Sequence, residues 1–180
     1  MKQFLFILFT FSAIFASSQE KYISRNGSIQ FIASTPLETI DPINNHVSCI
    51  LDTENGHLVF QLKMISFKFE KALMEEHFNE KYVESEKFPK ATFQGKIKDW
   101  NTKLLDGEKH MVIAIGNITI HGVEKEITVN GIIKTNKINI FLSSSFDITL
   151  ADFGVEIPKL VRDKISKTVK VEVNMNLKQK

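Results

Sequence analysis

The sequence predicts an all-β fold, an eight-stranded antiparallel barrel with one short helix near its mouth. Apolar and polar residues alternate over most of the chain after residue 20, which is the period of a half-buried strand. Short polar reversals separate these runs, so that neighbouring strands are expected to run antiparallel. A single stretch, residues 71–82, has the spacing of a helix instead.

The N-terminal residues predict a secretory signal peptide. Lys2 precedes an apolar run that has no charge before Glu20, and Ala16 and Ser18 are the small residues of a cleavage site before Gln19. The apolar run is roughly 13 residues long, and a membrane anchor, the alternative interpretation, needs about 20. We therefore expect residues 1–18 to be the signal and 19–180 to be one periplasmic or secreted domain. No cysteine follows the cleavage site, which argues against a lipoprotein.

The composition narrows the classes of function. Hydrophobic residues make up 43% of the chain, enough for a sizeable core, and 23 basic residues face 21 acidic ones. This near-balance and the lack of a basic run argue against a nucleic-acid-binding surface. The single cysteine, Cys49, excludes an internal disulfide. Its strand-like surroundings favour a small buried side chain over the alternative of a reactive thiol.

The first half of the mature chain is predicted to form hairpins. Asn26-Gly27 lies between the apolar runs 22–24 and 29–33, and Asn-Gly in this position is a strong hairpin signal. Pro36 and Pro42 indicate a loop over 37–45. Strands 46–52 and 58–67 then flank the turn at 54–56.

The helix predicted over 71–82 places Met74, Phe78 and Tyr82 on one face. Such a face could close one end of a barrel and keep its interior dry. Phe88 and Phe93 would then continue the apolar lining into the next strand. The alternative is that these side chains are ordinary core.

The second half is predicted to consist of strands over 91–97, 110–120, 124–134, 137–150 and 168–177, with a polar loop at 103–107. His121-Gly122 forms the turn of the long central hairpin. The last strand alternates most clearly, with Val169, Val171, Val173, Met175 and Leu177 inward. About eight strands can close into a barrel wide enough for side chains or one small ligand. A two-sheet sandwich is the rival arrangement.

Three segments resemble motifs of the YceI-like family. They are HFNEKY at 77–82 with EKFPKATF at 86–93, GNITIHGVEKEITV at 116–129, and FDI at 146–148 followed by ADFGV at 151–155. The resemblance implies a lipocalin-like barrel, exported by bacteria, that holds a long apolar molecule such as a polyisoprenoid or fatty-acid derivative. Leu150 departs from the pattern, since many members carry Arg there.

We accordingly expect an amphiphilic, chain-like apolar partner (polyisoprenoid, quinone-like or fatty-acid derivative) inside the barrel, and no separate cofactor. The alternative is a ligand-free interaction module of the cell envelope with a side-chain-filled barrel. The side chains expected to line the ligand site are Phe31, Phe60, Leu62, Met64, Phe78, Tyr82, Phe88, Phe93 and Phe146.

Catalysis is not expected. The five histidines lack His-x-His or His-x3-His spacing, and no Gly-x-Ser-x-Gly elbow is present. We interpret His121 as a turn residue, Asp152 as a partner of nearby backbone amides, and 143–145 as sheet surface. A hydrolase or isomerase would need titratable groups that point into the cavity. The mixed-charge segment 159–170 is interpreted as a solvated loop or a transient membrane contact, and the sequence leaves a homodimer open.

Overall fold

The computed structural model describes residues 20–36, 38–136, 138–157 and 166–180. The predicted signal peptide and most of the mixed-charge segment 159–170 lie outside these residues. Within them the chain forms nine strands: β1 (Lys21–Ser34), β2 (Thr39–Ile40), β3 (Ile43–Asp52), β4 (His57–Lys63), β5 (Lys90–Ile97), β6 (Lys109–Ile120), β7 (Val123–Thr135), β8 (Asn139–Thr149) and β9 (Thr168–Gln179).

The strands close into a barrel. Sheet order is β2-β1-β3-β4-β5-β6-β7-β8-β9, and β1 also pairs antiparallel with β9. Eight strands therefore form the ring, and the two-residue β2 pairs only with the end of β1. The predicted eight-stranded antiparallel barrel is confirmed, and the sandwich alternative is wrong.

The Asn26-Gly27 hairpin prediction is wrong. β1 continues through these residues as one strand, with irregular register against both neighbours. A β-carbon on Gly27 would lie 2.2 Å from Sδ of Met175, so the missing side chain leaves room for that methionine. The asparagine and glycine belong to a bulge in a long strand rather than to a turn.

The predicted helix is confirmed, and it changes character along its length. An α-helical segment, α1 (Ala72–His77), continues into a π-helical turn over Phe78–Tyr82. Before it, β4 ends at Lys63 and a 3₁₀ turn spans Met64–Ser66, so the strand predicted to reach residue 67 is shorter. Two further 3₁₀ turns span Thr102–Leu105 and Leu150–Phe153.

The core follows the alternation read from the sequence. The inward side chains predicted for β9 are all buried, and Leu177 is fully so. Cys49 on β3 belongs to the same core and is 0% exposed, and burial raises the pKa of its thiol. These two observations fit the interpretation of Cys49 as a small core side chain.

The two ends of the barrel differ. At one end, here called the helix end, the segment between β4 and β5 carries α1. At the other, the Trp100 end, Trp100 Nε1 donates a hydrogen bond of 2.9 Å to the Thr53 carbonyl oxygen. Thr135 Oγ1 donates to the Leu105 carbonyl oxygen at 3.1 Å, and Trp100, Leu104 and Leu105 pack against the core. These contacts cover the Trp100 end.

Candidate functional site

A cavity of about 370 Å³ lies inside the barrel. Every barrel strand except β3 contributes to its lining, together with the helical segment and the turn after β8. Among the described residues the lining is apolar apart from the Tyr82 hydroxyl and a few polar side chains, namely Glu38, Gln61, His77, Thr92, Ser143 and Ser144. An interior of this kind suits an apolar occupant.

Eight of the nine predicted lining residues do line this cavity: Phe31, Phe60, Leu62, Met64, Phe78, Tyr82, Phe93 and Phe146. Met74, placed with Phe78 and Tyr82 on one helical face, lines it as well. Leu150, at the position where the family motif often has Arg, adds another apolar side chain to the wall.

Phe88 is the exception, because it lies outside the lining of this cavity. Its ring lies edge-on against the His121 imidazole, with 4.5 Å between the ring centroids. A β-carbon on Gly122 would lie 2.5 Å from Phe88 Cε1. The chain between the helix and β5 therefore turns outward over the β6–β7 hairpin before it enters the barrel wall.

Four phenylalanines form a cluster at the helix end, here called the aromatic cluster: Phe31, Phe67, Phe69 and Phe78. Phe78 is central, with ring centroids 5.5, 5.6 and 5.0 Å from those of Phe31, Phe67 and Phe69. Offset and edge contacts at these distances are favourable for aromatic rings. The sequence prediction missed Phe67 and Phe69, although their alternation with Lys68 marked them as sharing one face.

Two surface ion pairs hold the helical segment over this end. Lys71 Nζ lies 2.8 Å from Glu38 Oε1, and Lys68 Nζ lies 2.6 Å from Glu75 Oε1. The hydrogen bond with Glu38 raises the pKa of Lys71, and the bond from Lys68 lowers the pKa of Glu75. Lys71 thereby links α1 to the segment after β1.

Small inward-facing residues leave the space that the cavity occupies. Ala91 on β5, Ala114 on β6 and Gly131 on β7 all line it. Phe60 and Phe93 face each other across β4 and β5 with ring centroids 6.2 Å apart, and Phe60 is only half-buried although it points inward. The interior side chains therefore do not fill the barrel.

Three titratable side chains, Glu38, His77 and Tyr82, line the cavity among the described residues. Burial raises the pKa of the Tyr82 phenol, which favours its neutral form at the wall. His121 lies outside the lining, and its backbone φ of 52°, with 75° at Gly122, makes the predicted tight turn. Among the described residues no group of three or more His, Cys, Asp or Glu side chains could hold a metal ion.

Two further predictions change in detail. Asp152 Oδ1 lies 3.2 Å from Lys125 Nζ, so its carboxylate forms an ion pair. Ser143 and Ser144 line the cavity, and only Ser145 of that triplet is exposed sheet surface. Ser144 Oγ donates a hydrogen bond of 2.6 Å to the Asn130 carbonyl oxygen.

The fold is similar to several solved structures. A polyisoprenoid binding domain from Saccharophagus degradans, implicated in plant cell wall breakdown, has a TM-score of 0.78 at 16% identity, covering 91% of this chain and 100% of that one. Burkholderia cenocepacia BcnA has a TM-score of 0.69 at 14% identity, covering 84% and 95%. The Campylobacter jejuni YCEI protein has a TM-score of 0.57 at 16% identity, covering 100% and 99%.

No curated protein matches the chain significantly, but a family model does. In the described part of the chain, no helix has the length and apolar character needed to span a membrane. The family model of the YceI-like domain matches residues 24–177, which is nearly the whole barrel. The chain therefore belongs to the YceI-like family.

Proposed function

We propose that this chain is an exported binding protein that holds one amphiphilic, chain-like apolar molecule inside its barrel. The observation that carries the proposal is the apolar cavity of about 370 Å³. Ligand sites commonly begin at about 300 Å³. The similarity in fold to a domain described as polyisoprenoid-binding adds support. A polyisoprenoid, a quinone-like molecule and a fatty-acid derivative all have the required chemistry.

The energetics favour an apolar chain. Burial of ten methylene groups gains roughly 8 kcal/mol, at ~0.8 kcal/mol each. Immobilisation of the ligand offsets a good part of this gain, and a micromolar affinity corresponds to a net ~8 kcal/mol, so the ligand must bury more than ten methylene groups to reach it. No Lys or Arg occurs among the described lining residues, so a strongly anionic ligand would meet no cation inside the cavity. We therefore expect the apolar part of the ligand to supply most of the affinity.

The polar end of the ligand is expected near the helix end. Glu38 and His77 contribute to the lining there, while the β-strand walls below are mainly aliphatic and aromatic. Apolar walls with few convergent polar groups orient an amphiphile. This arrangement suits storage, transport or protection of a lipid-like molecule, and we propose a non-catalytic role in the periplasm or outside the cell.

The alternative, an envelope interaction module with a filled barrel, requires interior side chains that leave no continuous cavity. The half-buried, inward-facing Phe60 and the small residues Ala91 and Ala114 argue against it.

Extraction of the purified protein tests the proposal most directly. Protein made in its native host is denatured in organic solvent, and the extract is examined by mass spectrometry for lipid-like molecules. We expect one molecular class in near-stoichiometric amount. An extract that contains only background lipids, repeated from several preparations, would count against a carrier.

A matched pair of variants separates binding from folding. Phe60→Lys puts a charge into the cavity, and its neighbour Val59→Lys puts the same charge on the outside, where Val59 is 38% exposed. We expect Phe60→Lys to abolish uptake of the fluorescent fatty acid cis-parinaric acid, whereas Val59→Lys keeps it. Urea unfolding of both variants shows whether Phe60→Lys loses uptake while it is still folded. Loss of uptake that only parallels loss of folded protein would indicate core packing alone.

A further inference from the structure

The junction between β7 and β8 is incomplete. Their ladder runs from Thr135–Ile140 at the Trp100 end to Gly131–Ser144 and ends there. Both strands continue toward the helix end, where β7 stays paired with β6 as far as Val123 and β8 stays paired with β9 as far as Thr149. The two strands therefore separate over residues 123–130 and 145–149, and we call this gap the β7–β8 window.

Side-chain contacts frame the window at both ends. On the side of the window nearer the Trp100 end, Ser144 Oγ donates a hydrogen bond of 2.6 Å to the carbonyl oxygen of Asn130, directly beyond the last ladder pair. On the side nearer the helix end, Lys125 Nζ lies 3.2 Å from Asp152 Oδ1. The Lys125–Asp152 ion pair is exposed, so it can open at little cost in free energy.

The edges of the window belong to the cavity wall. Ile127 and Val129 line the cavity from β7, and Phe146 and Ile148 line it from β8. All four side chains are half-buried, although they point inward on their strands. The length of strand from Lys125 to Asn130 is roughly 16 Å at ~3.3 Å per residue. An apolar chain that lay between these edges would touch the same kind of surface as inside the barrel.

Both ends of the barrel are covered by contacts that a ligand would have to break. The aromatic cluster occupies the helix end, with Phe78 at its centre. Trp100 and Leu105 cover the other end through hydrogen bonds with Thr53 in the β3–β4 turn and with Thr135 at the end of β7. Opening the aromatic cluster would expose several phenylalanine rings to water, at about 1.5–3 kcal/mol for each ring fully exposed. The window requires no such exposure.

We propose that the apolar ligand enters and leaves the barrel sideways, through the β7–β8 window. The inference rests on the proposed function and adds the route of exchange. It assigns Ile127, Val129, Phe146 and Ile148 to the passage, and the Lys125–Asp152 ion pair to its outer frame.

A cross-link across the window tests the route. Continuing the Gly131–Ser144 register places residue 128 opposite residue 147, and both side chains are exposed. Thr128→Cys/Asp147→Cys is joined with a short bismaleimide, and the cross-link is verified by mass. The native Cys49 is fully buried and is retained. The matched control is Asn117→Cys/Glu126→Cys, an exposed pair that face each other in the β6–β7 ladder.

Exchange is measured by stopped-flow fluorescence with cis-parinaric acid. The window cross-link is expected to slow both association and dissociation tenfold or more and to leave the equilibrium affinity within about twofold. The control cross-link should change neither rate. Asp152→Asn, which weakens the outer ion pair, is expected to raise both rates about two- to fivefold.

Two results would overturn the inference in different ways. Unchanged rates in the cross-linked window protein, with binding intact, would show that the ligand uses another route while the proposed function stands. No uptake by the protein before cross-linking would remove both the route and the proposed function.

Discussion

The imidazole of His121 joins two segments that are far away in sequence: Nε2 lies 2.9 Å from Glu84 Oε2, and Nδ1 donates to the Phe153 carbonyl oxygen at 3.1 Å. Glu84 follows the helical segment, and Phe153 ends the turn after β8. The ring also packs edge-on against Phe88. His121 thus connects the β6–β7 turn to both segments that border the cavity at the helix end.

His121→Asn is expected to lower the free energy of unfolding by about 1–3 kcal/mol, since two hydrogen bonds and the Phe88 contact disappear. Asparagine tolerates the positive φ of this position, so the turn itself is kept. The control is His110→Asn, whose imidazole also lies 2.8 Å from a carboxylate, Asp106, but on the surface. We expect a change within about 0.5 kcal/mol for His110→Asn. Urea unfolding measures both, and equal effects would contradict a special role for His121.

Gly122→Ala is expected to destabilise the barrel more than Gly107→Ala. Both glycines have positive φ, 75° and 99°, so alanine is strained at either position. A β-carbon at Gly122 would also lie 2.5 Å from the Phe88 ring, whereas one at Gly107 would meet nothing within 4 Å. We expect Gly107→Ala to lower the free energy of unfolding by about 1 kcal/mol and Gly122→Ala to lower it by at least about 1 kcal/mol more.

The excess at Gly122 should disappear when Phe88→Ala is the background, because the ring that meets the new β-carbon is then absent. Thermal or urea unfolding of the two single variants and the double variant completes the cycle. If Gly122→Ala and Gly107→Ala cost the same, Phe88 does not pack against the turn as described.

Local alternation predicted most of the barrel, because it records which face of a strand is buried. Val171 and Leu177 on β9 and Phe60 on β4 point inward as expected. The same local reasoning failed at Asn26-Gly27. Whether Asn-Gly makes a turn or a bulge depends on pairing of β1 with β3 and β9, which lie far away in the sequence.

The side chains that line the cavity were predictable from the sequence, but the gap between β7 and β8 was not. Phe31 and Phe146 follow from strand alternation, whereas Phe88 sits in a connection whose path is set by contacts with His121. No sequence pattern indicates where the pairing of β7 with β8 ends. Ile127, Val129, Phe146 and Ile148 alternate as they would in a fully paired strand, since each strand still has one complete neighbour.

Tyr82 is expected to make stability sensitive to alkaline pH. Burial raises the pKa of its phenol in the folded protein above that of the unfolded chain. The neutral phenol is therefore favoured by folding, and its contribution is complete below pH ~10, the ordinary tyrosine pKa. The contribution is lost as pH rises through the higher folded-state value. Between pH 8 and pH 11 the urea midpoint of unfolding should decrease less for Tyr82→Phe than for the wild-type chain. Parallel falls would indicate that Tyr82 is solvated rather than held at the cavity wall.

Filling the cavity should weaken ligand binding without unfolding the barrel. Ala114 lines the cavity from β6, and the adjacent Ile113 points outward with 37% of its surface exposed. Ala114→Phe occupies space that a ligand chain would use. Displacing two methylene groups of the ligand from the cavity removes about 1.6 kcal/mol of binding free energy, at ~0.8 kcal/mol each, which lowers the affinity about tenfold.

Ile113→Phe adds a ring of the same size to the outside of the same strand and should leave affinity for cis-parinaric acid unchanged. Fluorescence titration measures both variants, and urea unfolding checks that Ala114→Phe retains stability within about 1–3 kcal/mol, the usual cost of overpacking. If the interior were already filled, Ala114→Phe would instead destabilise the protein strongly. Unchanged affinity in a folded Ala114→Phe protein would place the ligand away from this part of the cavity.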